Sequence, residues 1–199
     1  HRRYPLGSND PVIEEKSLEL MKKCIELAQD LGVRTIQLAG YDVYYEEKSP
    51  QTRQRFIKNL RKACDWAEEA QVVLAIEIMD DPFINSIEKY LAVEKEIDSP
   101  YLFVYPDIGN VSAWHNDVYS EFYLGHHAIA ALHLKDTYAV TESSKGQFRD
   151  VPFGQGCVKW EEAFDILKQT NYNGPFLIEM WSENCETVEE TRAAIQEAQ

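Results

Sequence analysis

Four residues of the types that bind metal ions each lie in, or directly after, a short apolar run of this sequence. They are Glu77, Asp107, His133 and Glu179, and the runs are VVLAIEIM, YLFVYPD, IAALHLK and PFLIEM. Such runs are typical of buried β-strands, where an ionisable group is costly unless it is paired or bound to a metal. Three carboxylates and one imidazole form a mainly hard ligand set, which suits Mn²⁺ or Mg²⁺ and is compatible with Zn²⁺ or Co²⁺. The sequence therefore predicts a site for one divalent metal ion.

The spacing of these residues indicates how they meet. Consecutive members are 30, 26 and 46 residues apart, close to the length of a strand plus its crossover helix, about 30 residues or more. In an open sheet, with strands about 4.8 Å apart, the first and the fourth residue would be about 14 Å apart, too far for one ion. In a closed barrel, inward-pointing side chains at the carboxyl ends of the strands converge on the axis. The pattern therefore predicts an α/β fold of the (β/α)8 TIM-barrel type.

Five strands and six helices can be placed along the chain. The strands lie near residues 34–39, 72–79, 101–107, 129–135 and 175–181, and the helices near 17–31, 50–70, 85–97, 116–127, 160–170 and from about 187. Strict alternation of strand and helix is typical of α/β proteins. A complete barrel has eight strands and usually about 250 residues. We therefore expect residues 1–199 to form a single TIM-barrel domain that is N-terminally incomplete, with the first strands preceding His1.

The composition limits the kinds of partner and compartment. A net charge of −14 and a pI near 4.8 disfavour binding to nucleic acid or to an anionic membrane, both of which require a broad basic surface. No apolar run approaches the roughly 18 residues of a membrane span. The cysteines have no zinc-finger spacing, and Cys24 and Cys64 fall among the apolar positions of helices, so we expect reduced thiols in the core. The cytoplasm is the expected location.

Basic side chains near the predicted strand ends are candidates for substrate binding. Lys135 follows His133 and could contact a substrate oxygen or form an ion pair at the rim. Arg149 lies in the longest irregular stretch, residues 137–157, and its planar fork suits a sugar oxygen or a phosphate, although an exposed, solvated arginine is the alternative. His1 and Arg2, with Arg3, form a basic cluster. It could bind phosphate, or its side chains could simply be exposed to solvent.

Seven motifs in order along the chain resemble a known family. They are HRRYPLGS, IQLAGYDVYYEE, LAIEIMD with NSI after it, VYPDIGNVSAW, LHLKDT, FRDVPFGQGCV and FLIEMW. The chain is similar to the xylose-isomerase-like barrel superfamily, and within it to the L-ribulose-5-phosphate 3-epimerases of bacterial ascorbate use.

The resemblance implies a metal-dependent epimerase that interconverts L-ribulose 5-phosphate and L-xylulose 5-phosphate. It implies that Glu77, Asp107, His133 and Glu179 hold the metal and that the two glutamates form the acid/base pair. Asn110 stands where epimerases of free ketohexoses carry a histidine near the substrate. We expect a phosphorylated ketopentose as the small-molecule substrate and a homo-oligomer, a dimer, as the assembly.

Inversion at C3 of a ketose requires removal of the proton next to the carbonyl and return of a proton to the opposite face. Glu77 and Glu179 come from strands separated by two others, so they could flank the sugar, while a metal stabilises the enediolate. The sequence does not say which glutamate is the base.

Three other functions are alternatives to an epimerase. An aldose-ketose isomerase on the same barrel would move the proton between C1 and C2. A phosphodiesterase similar to the abasic-site endonucleases would need a multinuclear zinc site rich in histidine, and this chain has five histidines and strong acidity. A sugar-binding protein without catalysis would have neither bound metal nor turnover.

Overall fold

Strands and helices alternate along residues 2–181 and 185–197, the part of the chain that the computed structural model describes. The strands are β1 (Thr35–Ala39), β2 (Val73–Glu77), β3 (Leu102–Tyr105), β4 (Leu132–Leu134) and β5 (Phe176–Ile178). The helices are α1 (Pro11–Leu31), α2 (Pro50–Ala70), α3 (Ile87–Ile97), α4 (Ile108–Ala113), α5 (Val118–Gly125), α6 (Trp160–Gln169) and α7 (Val188–Glu197), and a 3-10 turn covers His126–Ala128. The five strands and six of the seven helices lie where the sequence predicts them.

All strand pairings between these elements are parallel and follow the order of the chain. β1, β2 and β3 form one sheet, and β4 and β5 form another. Two isolated parallel bridges, Val104 with Ile129 and Asp107 with His133, connect β3 to β4. The strands thus form one arc in the order β1 to β5, and within the described residues β1 and β5 do not pair. This order is that of successive strands of a (β/α)8 barrel.

Side chains alternate between two environments along each strand, as in a barrel. One side of the arc packs against the helices in a large apolar core that includes Leu60, Leu74, Ile76, Tyr90, Phe122, Leu132 and Ile166. The other side carries the small cluster of Ala75, Tyr105 and Ala131. Glu77 is two residues beyond Ala75, so its side chain lies on this inner side.

Side-chain caps determine where the helices begin. Ser49 and Thr52 form a reciprocal capping box at the start of α2, as the Ser49-Pro50 pair predicts. α1 begins at Pro11, earlier than the predicted start at Ser17, because Asp10 caps it by accepting a hydrogen bond from the Val12 N–H. The unpredicted helix α4 is capped by Asp107, so the carboxylate expected to bind metal also begins a helix.

The apolar face of α1 is only partly covered. Ile25 and Ala28 are buried, whereas Cys24 is exposed and Leu31 is 68% exposed. The prediction that Cys24 is a core thiol is therefore wrong. Helical periodicity identifies an apolar stripe, but the tertiary contacts decide which part of that stripe meets a neighbour.

None of the described helices is both long and apolar enough to span a bilayer.

Candidate functional site

The strand register brings the four predicted metal ligands to one level. Glu77 ends β2, and Asp107 follows β3 and pairs by a parallel bridge with His133 in β4. Glu179 follows β5, and its backbone N–H donates to the Leu134 carbonyl over 3.0 Å. Because the strands are parallel, their carboxyl ends lie on the same side of the arc, and these side chains meet there.

The four side chains form one compact group, which we call the acidic cluster (Glu77, Asp107, His133 and Glu179). One potential ligand atom from each residue lies within 4.8 Å of all the others. His133 Nδ1 is 3.2 Å from Glu77 Oε1 and from Glu179 Oε2, and 3.9 Å from Asp107 Oδ2. The group is buried apart from Glu179, which is partly exposed. Side chains from four separate parts of the chain are thus close enough to coordinate one ion.

In each carboxylate of the acidic cluster, one oxygen accepts a hydrogen bond from a residue outside the cluster. Gln37 donates to Glu77 Oε2 over 2.7 Å, Trp181 donates through its indole N–H to Glu179 Oε1 over 3.1 Å, and the Asn110 backbone N–H donates to Asp107 Oδ1 over 3.0 Å. The remaining oxygen of each residue points into the cluster. Outer partners of this kind orient ligands in metal sites.

These residues fit a divalent metal ion. Asp107 Oδ2 is buried and makes no hydrogen bond of good geometry, although the Lys135 Nζ is 2.8 Å away. Three carboxylate oxygens and one imidazole nitrogen form a donor set that suits Mn²⁺, Mg²⁺, Co²⁺ or Zn²⁺.

Burial and mutual hydrogen bonds shift the pKa values in the cluster. Burial alone would lower the pKa of His133, but hydrogen bonds with Glu179 and Glu77 raise it to about 9. Burial raises the pKa of Asp107, and Lys135 offsets this only in part. Burial would also raise the pKa of Glu179, but its hydrogen bond with His133 and its other partners hold it well below the usual range. Positive charge beside the carboxylates, here from Lys135, thus offsets part of the cost of burying them, a role that a metal ion would also fill.

A cavity of about 190 Å³ lies over the acidic cluster. Its lining includes four residues predicted to contact the substrate: Arg2, Asn110, Lys135 and Arg149. The fifth, His1, lies outside the described residues. Glu77 and Glu179 also line the cavity, so a molecule bound there touches both carboxylates.

The basic side chains around this cavity differ in their partners. Lys135 is 7% exposed, and its Nζ lies 2.8 Å from Asp107 Oδ2 and 3.1 Å from Glu179 Oε2. It is therefore a buried counter-ion of the acidic cluster and not part of an exposed rim pair. The Arg149 guanidinium stacks on the Trp181 ring at 3.6 Å. The Arg2 guanidinium lies 4.5 Å from the centre of the Tyr44 ring.

Sequence reasoning missed Gln37 as a partner of the acidic cluster. Gln37 pairs in register with Ala75, so its side chain lies on the inner side of the arc. A lone polar residue within the apolar strand TIQLA was the available signal, but its partner, Glu77, is 40 residues away.

Comparisons with known proteins agree with this arrangement. A family profile described as xylose isomerase-like TIM barrel matches residues 1–199. A Haemophilus influenzae protein named "Putative L-ribulose-5-phosphate 3-epimerase SgbU" is 56% identical over 186 residues, which is 94% of this chain and 65% of that protein. The Escherichia coli O157:H7 protein named L-ribulose-5-phosphate 3-epimerase UlaE is 51% identical, over 94% of this chain and 63% of its own. This chain thus spans less than two thirds of the length of these relatives.

Solved structures share the fold at low sequence identity. An L-ribulose 3-epimerase superposes with a TM-score of 0.78 at 19% identity, over 98% of this chain and 64% of that one. A D-allulose 3-epimerase from Methylomonas sp. in complex with D-allulose gives a TM-score of 0.75 at 19% identity, over 97% and 65%. Because the family profile matches all 199 residues and the strands follow this fold, the chain belongs to the xylose isomerase-like TIM barrel family.

Proposed function

We propose that this chain is part of a metal-dependent 3-epimerase that interconverts L-ribulose 5-phosphate and L-xylulose 5-phosphate. The proposal rests on one observation. Glu77 and Glu179 come from opposite halves of the strand arc, yet they lie in the same candidate metal-binding cluster and line one cavity. The names of relatives that are 51–56% identical support the phosphorylated pentulose as the substrate. A role in ascorbate breakdown is the corresponding pathway-level proposal.

The two glutamates are suited to opposite halves of one proton transfer. One carboxylate removes the C3 proton, and the other, in its protonated form, returns a proton to the opposite face, with the roles exchanged in the reverse direction. Gln37 and Trp181 hold their outer oxygens by hydrogen bonds, so each inner oxygen keeps a fixed direction. A bound divalent ion would supply Lewis-acid stabilisation where negative charge develops on the substrate oxygens.

Other residues of the cavity would bind and orient the sugar phosphate. Asn110 lines the cavity and donates its side-chain N–H to the Ile78 carbonyl, so its side chain is held in place for the proposed contact with the sugar. Lys135 would stabilise negative charge beside the cluster. Arg149 has the fork geometry that suits a phosphate or vicinal oxygens. Arg2 and His1 are further proposed substrate contacts.

The proposal is tested by hydrogen exchange at C3. The protein, loaded with Mn²⁺ and given L-xylulose 5-phosphate in D₂O, should form L-ribulose 5-phosphate that carries deuterium at C3, as NMR would show. Glu77→Gln and Glu179→Gln should each abolish this incorporation in at least one direction at saturating Mn²⁺. Asp107→Asn is the matched control, because it weakens metal binding without removing an acid or base, so excess Mn²⁺ should restore exchange.

Two outcomes would contradict this assignment. Full C3 exchange in both glutamate variants would remove the glutamates from the acid/base role. An aldose product with deuterium at C2 would instead identify an aldose-ketose isomerase. The homodimer, the cytoplasmic location and the single domain over residues 1–199 stay predictions from the sequence.

A further inference from the structure

A carboxylate outside the acidic cluster is buried at the mouth of β4. Asp136 is 2% exposed and lies two residues beyond the end of that strand. Its two oxygens accept hydrogen bonds from four backbone N–H groups, those of Thr137, Gly154, Gly156 and Val158, over 2.9 to 3.2 Å. Three of these donors belong to the segment of residues 149–158, which we call the 149–158 loop. One buried side chain thus carries much of the hydrogen bonding of this loop.

The 149–158 loop is folded closely around this carboxylate. A Cβ atom on Gly156 would lie 2.0 Å from Asp136 Oδ1 and 2.4 Å from the Thr137 carbonyl oxygen, so no larger residue fits without a shift. Gly154 has φ of 79°, a left-handed conformation that favours glycine. The Cys157 N–H donates to the Thr137 carbonyl over 2.8 Å. The loop therefore has little freedom to move while Asp136 stays in place.

The beginning of the 149–158 loop reaches Glu179, one of the proposed catalytic pair, through Trp181. Arg149 stacks on Trp181 at 3.6 Å, and the Trp181 indole donates to Glu179 Oε1. A second cavity, of about 270 Å³, lies between the loop and the segment that follows β5, and Asp136, Arg149, Glu179 and Trp181 all line it. Asp136 thus anchors the end of the loop, and the chain from Gly154 back to Arg149 connects this anchor to Trp181 and Glu179.

We propose that Asp136 is a positioning residue for substrate binding: its carboxylate holds the 149–158 loop, and thereby Arg149 and Trp181, against Glu179. This inference rests on the proposed epimerase function, because it assigns the purpose of the loop. Asp136 itself does not touch the reacting atoms. It acts by fixing the Arg149 guanidinium and the Trp181 ring on which it stacks. A displacement of such groups by about 1 Å is enough to weaken binding and catalysis severely.

Asp136→Asn is the sharpest test, because the new side chain has the same size and shape but one of its two acceptor oxygens becomes an N–H₂ group. That group cannot accept the backbone hydrogen bonds of the loop. We expect KM for the pentulose phosphate to rise about tenfold or more, with a smaller fall in kcat. The Mn²⁺ dissociation constant should rise less than KM, because Glu77 and Asp107 keep the partners that hold their outer oxygens. A purely structural role would lower the amount of active protein and leave KM unchanged.

The position of the loop can be measured without any substrate. Trypsin should cleave after Lys145 and Arg149 faster in Asp136→Asn than in the unaltered protein. Gly156→Ala should also speed this cleavage, because its added methyl group would clash with the Asp136 carboxylate and displace the loop. Glu121→Gln is the matched control, since Glu121 also accepts two backbone N–H groups, those of Ile87 and Glu88, but lines neither cavity.

These measurements separate the inference from the proposed function. Unchanged cleavage in both loop variants would overturn the inference even in an active epimerase. Faster cleavage with an unchanged KM would also overturn it, because the loop would then be held without positioning the substrate. If the unaltered protein turned over no pentulose phosphate, the proposed function would fail, and the cleavage rates would still report whether Asp136 holds the loop.

Discussion

The two oxygens of each glutamate in the acidic cluster have different tasks. The inner oxygens of Glu77 and Glu179 lie 3.2 Å from His133 Nδ1, while the outer oxygens accept hydrogen bonds from Gln37 and Trp181. Fixing one oxygen restricts the side-chain torsions and thus the direction of the other. In the proposed epimerase, metal affinity and proton transfer would both depend on that direction.

Lys135 gives a testable consequence at the residue scale. Its ammonium lies between two buried carboxylates, so Lys135→Met would leave negative charge without compensation in the metal-free protein. We expect the metal-free form to lose about 3–5 kcal/mol of unfolding free energy, as measured by urea unfolding. The loss should be smaller with Mn²⁺ bound, because the ion supplies positive charge.

Lys159→Met is the control for this substitution, because Lys159 forms an exposed pair with Glu162 and such pairs contribute little. Equal losses for Lys135→Met in the metal-free and Mn²⁺-loaded forms would contradict the counter-ion role.

At the scale of secondary-structure elements, the N-terminus of a helix is fixed by hydrogen-bond acceptors, and these can be close to it or distant from it in the sequence. Ser86 caps α3 locally by accepting from the Lys89 N–H. Glu121 of α5 accepts hydrogen bonds from the Ile87 and Glu88 N–H groups at the same helix start. α5 thereby satisfies free N–H groups of α3, which couples the positions of the two helices.

Removing that distant acceptor should destabilise the protein without changing the site. Glu121→Ala is expected to cost about 1–2 kcal/mol of unfolding free energy, the usual effect of losing a helix cap, with Mn²⁺ affinity unchanged. Urea unfolding measures the first quantity and calorimetric titration the second. Glu68→Ala, at an exposed position of α2, is the control and should change neither; a similar loss there would refute the capping role.

At the scale of the whole molecule, a bound ion would connect four separate parts of the strand arc. The ligands come from β2, the start of α4, β4 and the residue after β5. Binding to the folded form alone therefore stabilises the arrangement of these elements as well as the side chains.

Metal removal should consequently lower the melting temperature. At Mn²⁺ about 100-fold above its dissociation constant, linkage contributes about 2.7 kcal/mol, equivalent to a shift of about 5–10 °C for a chain of this size. Thermal unfolding after treatment with EDTA, and again after Mn²⁺ is restored, measures the shift. His133→Gln should show little response, and a full shift in that variant would mean that the ion binds elsewhere.

The sequence by itself predicted the alternation of elements, the family and the four cluster residues. These features depend on local signals: apolar runs mark the strands, Ser49 and Pro50 mark a helix start, and a charged residue at the end of an apolar strand is unusual enough to identify. The apolar period predicts a start of α1 near Ser17, whereas the cap at Asp10 begins the helix at Pro11, and α4 is short enough to have no clear apolar period.

Only the tertiary structure decided which partners these residues have. The sequence contains Gln37, Lys135 and Asp136, but it does not indicate that Gln37 orients Glu77, that Lys135 is buried between carboxylates, or that Asp136 organises a loop. Each of these roles depends on atoms brought to about 3 Å from positions far apart in the chain. Residue type and spacing determine which chemistry is available, whereas the register of the strands and the path of the loop determine where it is assembled.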